Sequence, residues 1–204
     1  MENSDKFKTL AKPSNEILFK EKKSKFFGYA FPITTEDEVK PIIEGLKKKH
    51  YNANHVCYAW QLGVSKIRYR ANDDGEPNNS AGMPIYGQIQ SFELTNVLVA
   101  VVRIFGGTKL GVGGLISSYR KATQMALEDS ILIEKTIKAD IEVTFGYPDM
   151  DRVMRIIKQN QLEIVSQQLE IDCTLIVSTT KSKAQPIALK FNSLKGIGAK
   201  IRGI

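Results

Sequence analysis

The apolar positions of this chain change period several times, and each change marks an element. Val97-Leu98-Val99-Ala100-Val101-Val102 has no alternation and predicts a central strand buried on both faces. Beyond a glycine-rich turn, Leu115, Tyr119, Ala122 and Ala126 recur at helical spacing, predicting a helix that ends near Ser130. Upstream, Ile17-Leu18-Phe19 and the run Phe26 to Phe31 flank Lys20-Glu21-Lys22-Lys23-Ser24-Lys25, which predicts two strands around a charged turn. Val39, Ile42, Ile43 and Leu46 stripe a helix within Thr34–His50. Thr35 and Glu38 have capping-box spacing, whereas Pro41 moves the expected first turn toward Glu38. Asn54–Leu62 and Lys66–Ala71 predict antiparallel strands around Gly63. Alternation puts His55, Cys57 and Ala59 on one face and Val56, Tyr58 and Trp60 on the other. Ser80 is a candidate N-cap for a helix carrying Ile85, Ile89 and Phe92.

Ile131-Leu132-Ile133 reads as a short strand or connector, and near Lys135 the pattern restarts. Strand Ala139–Gly146 is followed by helix Pro148–Asn160, striped by Met150, Val153, Met154 and Ile157. Strands Leu162–Glu170 and Cys173–Thr179, helix Ser182–Leu194 and a last strand Ile197–Ile204 complete the set. The order β-α-β-β-α-β is the split-βαβ, ferredoxin-like arrangement. The expected class is therefore α+β, with one domain over residues 1–135 and a ferredoxin-like domain over 136–204.

Composition narrows the setting more than the function. Cys57 and Cys173 sit in separate apolar runs and read as reduced core thiols of a cytoplasmic protein. No apolar run approaches the ~20 residues of a membrane helix, and the polar start, Met1 to Lys12, has no signal-peptide core. The net charge of +7 is spread along the chain: 19 Lys and Arg against 15 Asp and Glu over residues 1–135, and 10 against 7 over 136–204. Such an excess permits nucleic-acid or phosphate partners and equally serves solubility.

The candidate chemistry lies in two segments. Gly106, Gly107, Gly111, Gly113 and Gly114 stand between a buried strand and a helix. Glycine N–H groups can converge into a nest, and a helix N-terminus adds unpaired donors and about half a positive charge. Together they suit an anion, with Lys109, Arg103 and Arg120 to add charge-assisted bonds. The alternative is that the glycines only let the helix pack closely on the strand. The spacing matches neither a P-loop, since Gly111 is followed by Val112 and Gly113, nor G-x-G-x-x-G, since Ile116 stands where the third glycine belongs. The second segment is the polar loop Asn72–Pro84. Asp73, Asp74 and Glu76 are candidates either to hold Mg²⁺ through one or two oxygens or to act as turn formers. His55 beside Cys57 raises a Cys–His pair against a structural histidine next to a core thiol.

Several of these residues also form a pattern. Asp73-Asp74-Gly75-Glu76-Pro77, Ser80-Ala81-Gly82-Met83-Pro84-Ile85 and Arg103 to Leu115 resemble the YigZ/IMPACT family. Lys23-Ser24-Lys25-Phe26 and His55-Val56-Cys57-Tyr58-Ala59 fit it as well, so the resemblance covers most of residues 16–130. Ser80 stands where threonine is usual and Ile104 where an aromatic is usual. The resemblance implies a first domain like domain 2 of ribosomal protein S5. It implies a second domain like the last, ferredoxin-like domain of elongation factor G. It also implies a link to translational control, where the eukaryotic relatives act through protein partners of a kinase pathway.

Three functions follow as expectations. The first is a factor that binds RNA or the ribosome through the anion-ready loop and modulates translation. The second is an enzyme acting on a phosphorylated small molecule or nucleotide, with Asp73, Asp74 or Glu76 holding a metal or acting as base and His55 and Ser80 as site walls. The third is a protein-interaction module. The second requires the acidic loop and the glycine segment to meet in one cleft, and the two segments are expected to border the same surface whatever the site binds.

Overall fold

A computed structural model describes residues 5–202. It divides the chain into two compact units, one over Phe7–Lys135 and one that joins Asp5 and Lys6 to the residues from Thr136 onward. The protein is mixed α and β in both.

In the first unit, β1 (Lys6–Leu10) pairs with β7 (Leu132–Thr136) in a two-stranded sheet. Five further strands, β2 (Ile17–Glu21), β3 (Ser24–Pro32), β4 (His55–Leu62), β5 (Arg68–Asn72) and β6 (Val97–Ile104), form an antiparallel sheet in the order β2-β3-β6-β4-β5. The unalternating run is thus the central strand, and the reason is visible in its two neighbours. Val97, Val99 and Val101 face α2 (Gly82–Ser91) and α3 (Gly111–Glu128), in a core with Phe26, Ile85 and Tyr119. Leu98, Ala100 and Val102 face α1 (Val39–Lys49), in a core with Ile43, Leu46 and Trp60. Both faces are covered, so both must be apolar.

Local chemistry sets the connections. Lys22 and Lys23 both have positive φ, 43° and 66°, as a two-residue hairpin turn requires. A 3₁₀ turn at Glu36–Glu38 precedes α1, and Glu38 Oε1 accepts from the Thr34 and Thr35 N–H groups at 2.7 and 2.9 Å. Pro41 then falls in the first turn of α1, where its missing N–H costs nothing. Ser80 is not the N-cap of α2, however. Ala81 holds that position, and the carboxylate of Asp73 accepts the helix N–H groups from a distance in sequence.

Tyr29, buried beneath α1, donates its hydroxyl to Glu16 and lies 2.5 Å from His50 Nε2. The Lys49 ammonium, 2.9 Å away, and the Tyr29 hydroxyl hold the Glu16 carboxyl below the usual glutamate range. A depressed carboxyl contributes stability at neutral pH that is lost as the pH falls through its folded value. Glu16→Gln is therefore expected to be less stable than the parent at pH 7 by up to about 1 kcal/mol. The gap should close on acidification, as urea midpoints measured across the acid range would show.

The second unit runs β8 (Lys138–Gly146), α4 (Met150–Gln159), β9 (Glu163–Gln168), β10 (Asp172–Thr180), α5 (Lys181–Asn192) and β11 (Ile197–Arg202). The strand order is β11-β8-β10-β9, antiparallel throughout. The predicted β-α-β-β-α-β sequence of elements is present; the expected extension of the last strand to Ile204 lies outside the described residues. Val153 and Ile157 of α4 are buried as the stripe requires, but Met154 points outward and is exposed. At α5, the Asp5 carboxylate accepts the Ser182 N–H at 2.8 Å and the Ser182 hydroxyl, which suits the positive end of a helix.

Candidate functional site

The glycine segment divides into a short loop and the start of a helix. β6 ends at Ile104 and α3 begins at Gly111, earlier than the apolar spacing from Leu115 predicted. Gly106 is there for space. A Cβ at this position would lie 2.0 Å from the carbonyl carbon of Lys23 and 2.3 Å from Ser24 N. Its N–H instead donates to Ser24 Oγ at 3.2 Å and ties the loop to the β2–β3 turn. Gly107 and Gly111 have φ of 85° and 73°, the left-handed region that favours glycine. Gly113 and Gly114 are ordinary residues of the first helical turn. The N-cap of α3, Leu110, makes no side-chain cap. The first N–H groups of α3 are thus left to solvent or a ligand.

The three carboxylates of the acidic loop have separate tasks. Asp73 Oδ1 accepts from the N–H groups of Ala81 and Gly82 at 2.9 and 2.8 Å, and its Oδ2 accepts from Asn79 N–H at 2.9 Å. Asp74 Oδ2 accepts from Val56 N–H at 2.7 Å, and its Oδ1 from Lys47 Nζ at 3.0 Å. Glu76 turns inward. It is 7% exposed, and Oε1 accepts from Arg103 Nη1 and from the Tyr119 hydroxyl, both at 2.7 Å. Among the described residues, no three His, Cys, Asp or Glu side chains are grouped so as to hold a metal ion.

His55 stands beside this pair. Its Nδ1 is 2.8 Å from the Asp74 carbonyl oxygen. A carbonyl only accepts, so Nδ1 carries the proton and Nε2 keeps its lone pair in the neutral ring. Nε2 lies 4.0 Å from Glu76 Oε2. Cys57 does not pair with His55. Its thiol donates to the Asp73 carbonyl at 3.0 Å and approaches the Tyr119 hydroxyl at 3.3 Å. Full burial pushes the Cys57 thiol and the Tyr119 phenol up, away from ionisation. The cysteine is a core group.

These residues border a cleft of about 430 Å³. It brings His55, Glu76 and Arg103 together with Phe105, Lys109, Gly111 and Val112. The acidic loop and the glycine segment therefore border one surface, meeting through Glu76 and the start of α3. The other expected site residues are elsewhere. Asp73, Asp74 and Ser80 support the loop, Ser80 by donating to the Pro77 carbonyl at 2.6 Å. Gly106, Gly107, Gly113 and Gly114 are not in the lining, and Arg120 is exposed on α3 away from it. Arg103 is not an open phosphate clamp: it is 6% exposed, and its Nη1 is held by Glu76. Its Nε is buried without a hydrogen-bond partner. The guanidinium also sits 5.6 Å from the ring centroids of both Phe26 and Phe105. Tyr119 and Phe105 are the residues that sequence reasoning passed over. Tyr119 reads as one more apolar stripe position, and only the rule that a buried tyrosine hydroxyl needs a partner hints otherwise.

Fold and cleft together define a two-unit α+β protein whose first unit presents, at the start of a glycine-rich helix, a largely apolar cleft into which a few polar groups converge. The chain belongs to the IMPACT family: the Impact N-terminal domain matches residues 22–127, from the β2–β3 turn to the last turn of α3. An IMPACT family member of Haemophilus influenzae is 31% identical over 176 residues, covering 83% of this chain and 84% of that one. The IMPACT family member YvyE of Bacillus subtilis is 32% identical over 139 residues, 68% of this chain; the match spans 64% of the Bacillus protein's length. A crystal structure of a hypothetical protein shares the fold, with a TM-score of 0.67 at 24% identity, covering 98% of this chain and 97% of that one. No helix among the described residues is long and apolar enough to cross a membrane.

Proposed function

We propose that the first unit binds RNA, on the ribosome, through this cleft and so modulates translation. One observation carries the reading. The uncapped start of α3, Lys109 and the half-exposed ring of Phe105 open on the same cleft. Helix N–H groups and an ammonium suit a phosphate, and an exposed aromatic beside them suits a stacked base. We read the first unit as S5 domain 2-like and the second, from its β-α-β-β-α-β order, as ferredoxin-like. The resemblance of such a pair to the end of elongation factor G, and of the family to proteins of translational control, supports a ribosomal partner.

Affinity for ribosomes and for a short single-stranded RNA, measured against salt, tests this. Each phosphate contact should contribute about −0.7 to the slope of log K against log salt. Lys109→Ala should weaken binding several-fold and flatten the slope by roughly that amount. Phe105→Ala should weaken it by about 1–3 kcal/mol and leave the slope unchanged. Absence of binding to both partners at low salt would sink the proposal.

A further inference from the structure

We propose that the cleft also cuts the RNA it holds, with His55 Nε2 as the general base that activates a ribose 2′-hydroxyl. The inference rests on the RNA reading above. It starts from the orientation of the imidazole. The Asp74 carbonyl fixes the proton on Nδ1 at 2.8 Å, and Asp74 is itself anchored by the Val56 N–H and by Lys47. The basic nitrogen is thereby turned away from the Asp74 carbonyl, on a ring that lines the cleft and is supported by β4 and the acidic loop. Glu76 Oε2, 4.0 Å from it, stabilises the imidazolium that forms when Nε2 takes up a proton. Arg103 and Tyr119 hold that carboxylate in place. A buried glutamate and arginine, both more than nine-tenths buried, flank an imidazole that is not. This is the arrangement of a supported base.

The nature of the nucleophile follows from what lines the cleft. Its lining holds no serine, threonine, cysteine or tyrosine. Cys57 lies beneath it with its thiol engaged and fully buried. The attacking group is therefore not a side chain of the lining, and RNA carries a hydroxyl of its own next to every phosphate. The electrophilic side is present too. Lys109 and the start of α3, whose N-cap supplies no side-chain cap, line the same space. These donors suit the charge that builds on the phosphoryl oxygens.

The step balances without a co-reactant. Nε2 takes the proton of the 2′-hydroxyl. The O2′–P bond forms and the P–O5′ bond breaks. The departing 5′-oxygen takes a proton from water, and the hydroxide left behind takes the proton from Nε2. The products are a 2′,3′-cyclic phosphate and a 5′-hydroxyl.

A short RNA labelled with fluorescein, incubated with the full chain, tests this by reading anisotropy and product mass on the same samples. The expected result is binding together with cleavage to a cyclic-phosphate product. The same strand with 2′-O-methyl sugars should bind and stay intact, a comparison that does not depend on any variant folding. His55→Asn should cut at least about 100-fold more slowly, the scale of a lost general base, with an unchanged thermal midpoint. RNA that is bound and left intact overturns this inference and leaves the RNA-binding reading standing. Cleavage that survives either the 2′-O-methyl sugars or His55→Asn also overturns it. RNA that is not bound at all overturns both.

Discussion

Replacing Arg103 with methionine should lower the stability of the protein by about 3–5 kcal/mol, the scale on which a buried charge pair fails when one partner is removed. The reason lies in the burial of both groups. Arg103 is 6% exposed and Glu76 7%, and they meet at 2.7 Å. Methionine fills most of the space of the arginine stem but leaves the carboxylate with only the Tyr119 hydroxyl on Oε1. Glu76→Gln alone should cost less, since an amide keeps an oxygen for Tyr119 and Arg103. The double variant, Arg103→Met with Glu76→Gln, should be more stable than Arg103→Met alone, because the unpaired charge has gone. Urea unfolding of the four proteins forms a double-mutant cycle with an expected coupling of about 1–3 kcal/mol. Additive losses would show that the pair does not act as a unit.

Gly106→Ala should destabilise by about 3 kcal/mol, the upper end of the range for an overfilled site. The methyl would meet backbone rather than a movable side chain: the Lys23 carbonyl carbon at 2.0 Å, its oxygen at 2.3 Å and Ser24 N at 2.3 Å. Either the loop leaves the β2–β3 turn or the turn itself shifts. Gly113→Ala, seven residues on, should do the opposite. Nothing lies within 4 Å of its Cβ position, and it is a helical residue. Alanine there should stabilise by up to about 1 kcal/mol through helix propensity. Thermal unfolding of the two variants thus separates a glycine kept for space from one that packing does not require. A loss at Gly113 comparable with that at Gly106 would contradict this division.

The glycine stretch shows both what the sequence makes legible and where it stops. That a buried strand meets a helix through glycines was plain from Val97–Val102 and the later apolar spacing. That α3 already begins at Gly111 was not, because glycine's low helix propensity argues against it and only the fold overrides that. The capping of α2 was hidden for a different reason. Ser80 lies where a local cap belongs, yet Asp73, held by the loop, reaches the same N–H groups. Local rules see neighbours in sequence, and Asp73 is a neighbour only in space. Arg103 read as a charged end of the glycine loop. It is instead the penultimate residue of the central strand, where both faces are covered, so its guanidinium had to be buried and needed Glu76. The juxtaposition of the acidic loop with the glycine segment was foreseeable only as a requirement of function. The β4–β6 pairing, in which His55 stands opposite Arg103, is what produces it.

In the proposed complex the start of α3 receives a phosphate of RNA. Backbone amide resonances of Gly111, Val112 and Gly113, followed by NMR as a short RNA strand is titrated into the isotopically labelled full chain, address it most directly. The expected result is large, saturable shifts at these amides and at Phe105, with Lys109→Ala needing several-fold more RNA to reach the same shifts. Shifts confined to other surfaces, with the amides of Gly111 to Gly113 unmoved at saturation, would contradict it.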